Sequence, residues 1–109
     1  MAPAVESSGS QTAVIGTEHT LASPTTAKTR QLVVDLVNLV NGDVVELRVK
    51  RMCLAAGTVR EWMCATYANV QAGPMVLSIP CPSPHGATFT LKQTVGTGRV
   101  FPWSVETID

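Results

Sequence analysis

Residues 32–49 read LVVDLVNLVNGDVVELRV. Asn41-Gly42, in the middle, is the dipeptide best suited to a two-residue type I′ hairpin turn, in which both central residues need positive φ. Closing the chain there sets Val40 against Asp43, Asn38 against Val45, Leu36 against Leu47 and Val34 against Val49. One face then carries Val34, Leu36, Val45, Leu47 and Val49, and the other pairs Asp35 with Arg48 and Val33 with Lys50. A slip of one residue would lose both the turn and the apolar face. The stretch predicts a β-hairpin with one buried side.

Its second strand runs on to Leu54, and Ala55-Ala56-Gly57 fits a three-residue loop with Gly57 left-handed. That loop sets Val49 opposite Met63, Leu47 opposite Ala65, Val45 opposite Tyr67 and Arg51 opposite Glu61. It also puts Trp62 opposite Lys50 on the outer face, where a cation–π contact can form. The C-terminal third alternates as strictly. With residues 96–98 as a loop, Gln93 faces Phe101, Leu91 faces Trp103 and Phe89 faces Val105. Pro102 cannot donate to a ladder, which predicts an edge position or a bend for the last strand.

Toward the N-terminus, residues 12–21 predict a first strand broken by a bend or bulge at Gly16. Residues 22–30 form a loop by composition, with Ser23-Pro24 starting a turn. Residues 1–11 are small, polar and aperiodic, and are expected to form a flexible arm, with ordering against a neighbouring subunit as the alternative. Deleting that arm is expected to leave the melting temperature nearly unchanged. Pro74, Pro80, Pro82 and Pro84 exclude a central strand from most of residues 69–86. Only residues 75–79 can form a short strand there, and residues 81–85 (CPSPH) read as an extended crossover loop. No stretch sustains a helical period with caps. The expected fold is all-β: a two-layer antiparallel β-sandwich or barrel, jelly-roll or tulip-like, of about seven strands. It forms a single domain over residues 12–109.

Charged residues are 15% of the 109, against roughly 25% in ordinary soluble domains. A surface so sparsely charged is either covered by other subunits or rich in Ser and Thr. The net charge of zero supplies no global attraction to nucleic acid or an anionic membrane. No apolar run approaches the ~18 residues of a membrane helix. The N-terminus has neither the basic start nor the apolar core of a secretory signal. Cys53, Cys64 and Cys81 match no zinc or redox spacing, and free, mostly buried thiols are expected.

Motifs that carry chemistry are missing from the sequence: no phosphate-binding loop, zinc-protease helix, nucleophile elbow or EF-hand. Gly96-Thr97-Gly98-Arg99 is followed by no helix and reads as a β-turn. His19 and His85 have no partner at metal-ligand spacing, and Cys81 with His85 lacks a third orienting group. Arg48, Lys50, Arg51 and Arg60 are largely matched by acidic neighbours in the expected pairing and read as a solvated sheet face. The expectation is a binding protein rather than an enzyme, with no cofactor and no metal. The candidate partner contacts are Val5 and Gln11 on the arm, Trp62 and Tyr67 on the sheet, and Pro82 and Pro84 in the proline-rich loop.

Residues 38–50 (NLVNGDVVELRVK) and 91–106 (LKQTVGTGRVFPWSVE) resemble segments of small β-rich proteins encoded by tailed bacteriophages and prophages. The resemblance spans roughly residues 12–108 and rests on hairpin signatures, so it transfers no site residue. It implies a virion structural protein, and within that class a capsid decoration (cement) protein. Such a protein would be made in the bacterial host cytoplasm and bound to the major capsid protein on the outer capsid surface, as a homo-oligomer, with a trimer favoured. A neck, tail or fibre accessory protein is the alternative within the virion. A host- or glycan-binding sandwich module, suggested by Trp62, Tyr67 and the CPSPH loop, is the alternative outside it.

Overall fold

The computed structural model describes residues 4–54, 57–78 and 80–108. Among these residues nine strands run in order: β1 Ala4–Thr12, β2 Glu18–Ala22, β3 Lys28–Asp35, β4 Val44–Arg51, β5 Arg60–Ala68, β6 Met75–Leu77, β7 Cys81–Ser83, β8 Ala87–Val95 and β9 Val100–Thr107. No helix occurs among the described residues. All strand pairs are antiparallel, in two sheets. The first has the order β1-β9-β3-β6, with β7 following β6 along the same side of β3, and the second has the order β2-β8-β4-β5. Among the described residues no ladder joins the two sheets, so the architecture is sandwich-like and no closed barrel forms.

The hairpin expected at Asn41-Gly42 does not form. β3 pairs with β6, β7 and β9, whereas β4 pairs with β5 and β8 in the other sheet. Residues 36–43 form an arch between the sheets. The chain reverses twice there, through Leu39 N–H to the Leu36 carbonyl and Asp43 N–H to the Val40 carbonyl, each at 3.0 Å. Gly42 is left-handed (φ 96°) and Asn41 is not, so the second turn needs one positive φ where a type I′ turn needs two. Val34, Leu36, Val45, Leu47 and Val49 are nonetheless all buried, as expected. They meet across the sandwich instead of lying side by side.

The C-terminal pair repeats the pattern. β8 lies between β2 and β4, β9 lies between β1 and β3, and the expected hairpin of Leu91 with Trp103 is a second arch. Phe89, Leu91, Gln93, Phe101 and Val105 still point inward. Pro102 is thus in a central strand. The β3 ladder stops at Trp103, so the missing N–H falls where β9 is paired only with β1, through Ser10.

The hairpin of β4 with β5 forms in the expected register from Val45–Tyr67 to Val49–Met63. A bulge between Val49 and Lys50 then shifts the pairing to Lys50–Glu61 and Arg51–Arg60. Trp62 therefore does not face Lys50. Gly57 is not left-handed, and the rest of the expected Ala55-Ala56-Gly57 loop lies outside the described residues. Of the expected arm, Ala4–Gln11 belong to an edge strand paired along β9, and Met1–Pro3 lie outside the described residues. The break at Gly16 (φ 81°) separates β1 from β2, which belong to different sheets. The CPSPH segment contributes β7, and Ile79 lies outside the described residues.

The core joins Leu32, Val34, Leu36, Leu39, Val45, Val49, Phe89, Leu91, Phe101 and Val105, with each large side chain contributing about 1.5–3 kcal/mol on burial. One charge is fully buried beside it. The Arg30 guanidinium donates to both carboxylate oxygens of Glu6 on β1 (2.5 and 3.1 Å), to Ser83 Oγ on β7 (2.7 Å) and to Thr26 Oγ1 in the β2–β3 loop (2.7 Å). This socket ties β1 to the sheet by a charge that has no access to water.

Candidate docking surface

Four loops meet at one end of the sandwich: residues 13–17, 36–43, 69–74 and 96–99. They contain two charged residues, Asp43 and Arg99. These two neutralise each other, Arg99 Nε lying 2.9 Å from Asp43 Oδ2.

Asp43 is 2% exposed and holds the cluster together. Its Oδ2 also accepts from Val40 N–H (3.1 Å) and its Oδ1 from Thr97 N–H (3.4 Å), while its carbonyl accepts from Asn69 N–H (3.0 Å). Burial would raise the Asp43 pKa, but the Arg99 hydrogen bond and the two amide donors outweigh it and hold the carboxyl below its ordinary value. Gly96, at φ 102°, passes so close that a Cβ would come within 1.9 Å of Asp43 Oδ1.

The other loops are clipped in the same way. Asn69 Oδ1 accepts from Gly42 N–H (2.9 Å), and Asn41 Oδ1 from Val70 N–H (3.3 Å). The buried Gln93 amide donates to the Thr97 carbonyl (2.8 Å) and accepts from Arg99 N–H (3.1 Å). Asn38 Nδ2 donates to the Val100 carbonyl (2.7 Å), and Gly16 N–H to the Gln93 carbonyl (2.8 Å).

With so many polar groups turned inward, aliphatic side chains are left outside. Val14, Ile15, Val37, Val40 and Val70 are exposed on the loops, and Met75, Val95 and Val100 on the adjoining strand ends. Val37 and Val70 are the most open, at 61% and 62%. An apolar, internally braced surface with no net charge suits protein association, because little conformational entropy remains to be lost on binding.

The residues singled out in the sequence do not converge there. Val5 is exposed on β1 at the far end, opposite Glu106. Gln11 lies near the loop end and donates to the Thr12 carbonyl. Tyr67 is half-buried against the core and is a packing residue. Trp62 is exposed on β5, and Pro82 and Pro84 are exposed on and after β7. The valines of the loop end lie next to Asn and Gly, outside any periodic pattern. The readable signal was the near absence of charge from four separate loops.

Two of the three cysteines depart from the expected burial: Cys53 and Cys64 are exposed, and only Cys81 is buried. Burial pushes the Cys81 thiol up, more than Arg51 and Arg30 pull it down, which opposes thiolate formation. The expected Asp35–Arg48 pair is absent. Arg48 binds Glu46 (2.8 Å) and Glu61 (2.9 Å), Lys50 binds Glu18 (2.8 Å), and Asp35 Oδ1 accepts from Val37 N–H (3.0 Å). No group of three or more His, Cys, Asp or Glu that could hold a metal ion occurs among the described residues. The chain matches no protein-family model, no curated protein and no solved structure.

Proposed function

We propose that this chain is a structural protein of a tailed-phage virion, a capsid decoration protein that seats its four-loop end on the major capsid protein. The observation that carries the reading is the neutral, braced, valine-rich loop end, which offers an interface without an electrostatic cost of docking. The strand orders β1-β9-β3-β6 and β2-β8-β4-β5 support it. They follow the double-sheet jelly-roll pattern, which recurs in viral capsid and lectin domains. The resemblance of residues 38–50 and 91–106 to phage-encoded proteins points the same way. The mechanism is binding: many weak contacts repeated over a lattice add to a large stabilisation of the shell.

The test mixes purified protein with expanded phage heads and with the double variant Val37→Asp/Val70→Asp. Wild-type protein should bind at lattice stoichiometry and raise the temperature at which heads rupture, and the double variant should do neither. Uptake of both forms alike, or of neither, would overturn the proposal. Wild-type occupancy confined to one vertex would move the protein to the neck or tail.

A further inference from the structure

A second surface lies at the opposite end, where β4 and β5 run out. The bulge after Val49 sets Arg51 directly opposite Arg60. Like charges directly opposed on antiparallel strands destabilise the pair. The nearest acid does not cancel them, because the Glu61 carboxylate accepts from Arg48 Nε at 2.9 Å. Arg51 Nη1 donates to the Pro82 carbonyl, a neutral acceptor, and Arg60 has no hydrogen-bond or ion-pair partner among the described residues. Both arginines line a groove of about 450 Å³ with Thr58, Glu61 and Trp62. That volume falls within the range of small-molecule sites. Trp62 is 38% exposed.

We propose that this groove binds an acidic sugar, a pyranose carrying a carboxylate, through the arginine pair and Trp62. Both arginines line the groove with neither bound to a carboxylate among the described residues, and a sugar carboxylate there offsets their charge and accepts the forked N–H groups of Arg60. The Trp62 ring offers an apolar platform for one face of the sugar ring, and Thr58 supplies a hydroxyl to the groove. An anion alone would leave the indole unused, and a neutral sugar would leave the charges unrelieved. The site shares no residue with the loop end and stands independently of the capsid reading.

The test titrates the full chain by calorimetry with an oligogalacturonate, using a neutral oligogalactan, acetate and inorganic phosphate as comparison probes. Only the oligogalacturonate should give saturable binding. Arg60→Ala and Trp62→Ala should each weaken it at least about tenfold, and Arg60→Lys, which keeps charge but loses the fork, should fall between. The melting temperature of Arg60→Ala should hold or rise, since it removes a repulsion. Equal affinity for the neutral probe would overturn the charge requirement, and equal affinity for acetate or phosphate would overturn the sugar. Undiminished binding by Arg60→Ala would overturn the site, whereas Val37→Asp/Val70→Asp should bind the oligogalacturonate like wild type.

Discussion

Arg30 and Asp43 are two buried charges whose partners come from distant parts of the chain, so each acts as a fastener. Replacing Glu6 by Gln leaves the Arg30 guanidinium buried without its counter-charge and should cost about 3 kcal/mol, read by urea unfolding. The Arg30 hydrogen bond holds the Glu6 pKa below its ordinary value, and Asp43 is lowered as well. A depressed folded-state pKa contributes stability that is full above the unfolded value and lost as pH falls through the folded one. Unfolding midpoints should therefore drop below about pH 4, and the drop should shrink in Glu6→Gln. Gly96→Ala combines a left-handed backbone with a clash on Asp43 Oδ1 and should destabilise by more than about 1 kcal/mol. A thiol reagent should label Cys53 and Cys64 in the folded protein and reach Cys81 only after unfolding.

Single elements show what the sequence could and could not reveal. Inward and outward positions in β3, β4, β8 and β9 were legible because alternation with period two reports which face is apolar. It does not report which neighbour a strand pairs with. Two strands arched across a core carry the same pattern as two strands in a hairpin, and Asn-Gly suits a turn in either. One residue did separate the cases. In the hairpin Leu39 would have faced outward, whereas it is buried at 1% exposure inside the arch. β1 was hidden for another reason: an edge strand of Ser, Gly and Gln has no apolar period, and its anchor is the ion pair from Glu6 to a residue 24 positions away. Deleting residues 1–11 should thus lower the melting temperature by several degrees, because it strips a strand from β9 and leaves the buried Arg30 without its counter-charge. An unchanged melting temperature would return these residues to the role of a free arm.

For the molecule as a whole, the two ends divide in character. One end is valine-rich with its two charges paired to each other, and the other carries arginines, Trp62 and an open groove. Neither was legible as a surface, since each is assembled from loops and strand ends far apart in the chain. Val37→Asp/Val70→Asp adds charge only at open positions. It should change folding stability by no more than about 0.5 kcal/mol per site while removing association through the loop end. A loss of fold in that variant would mean that the loop valines serve the core.

The crossing of the chain between sheets bears on when the protein can form at all. Apart from β4–β5 and β6–β7, each connection carries the chain to the opposite sheet, and β9 is the strand that joins β1 to β3. Only one hairpin can therefore assemble from local sequence, while the first sheet stays in two pieces until β9 has left the ribosome. Refolding should be slow for so small a chain, in the millisecond-to-second range of topologies dominated by distant contacts. Chains cut before residue 100 should stay soluble only if a chaperone holds them. Closure of the first sheet waits on β9, so a chain that lacks this strand has no completed sandwich to present at either end.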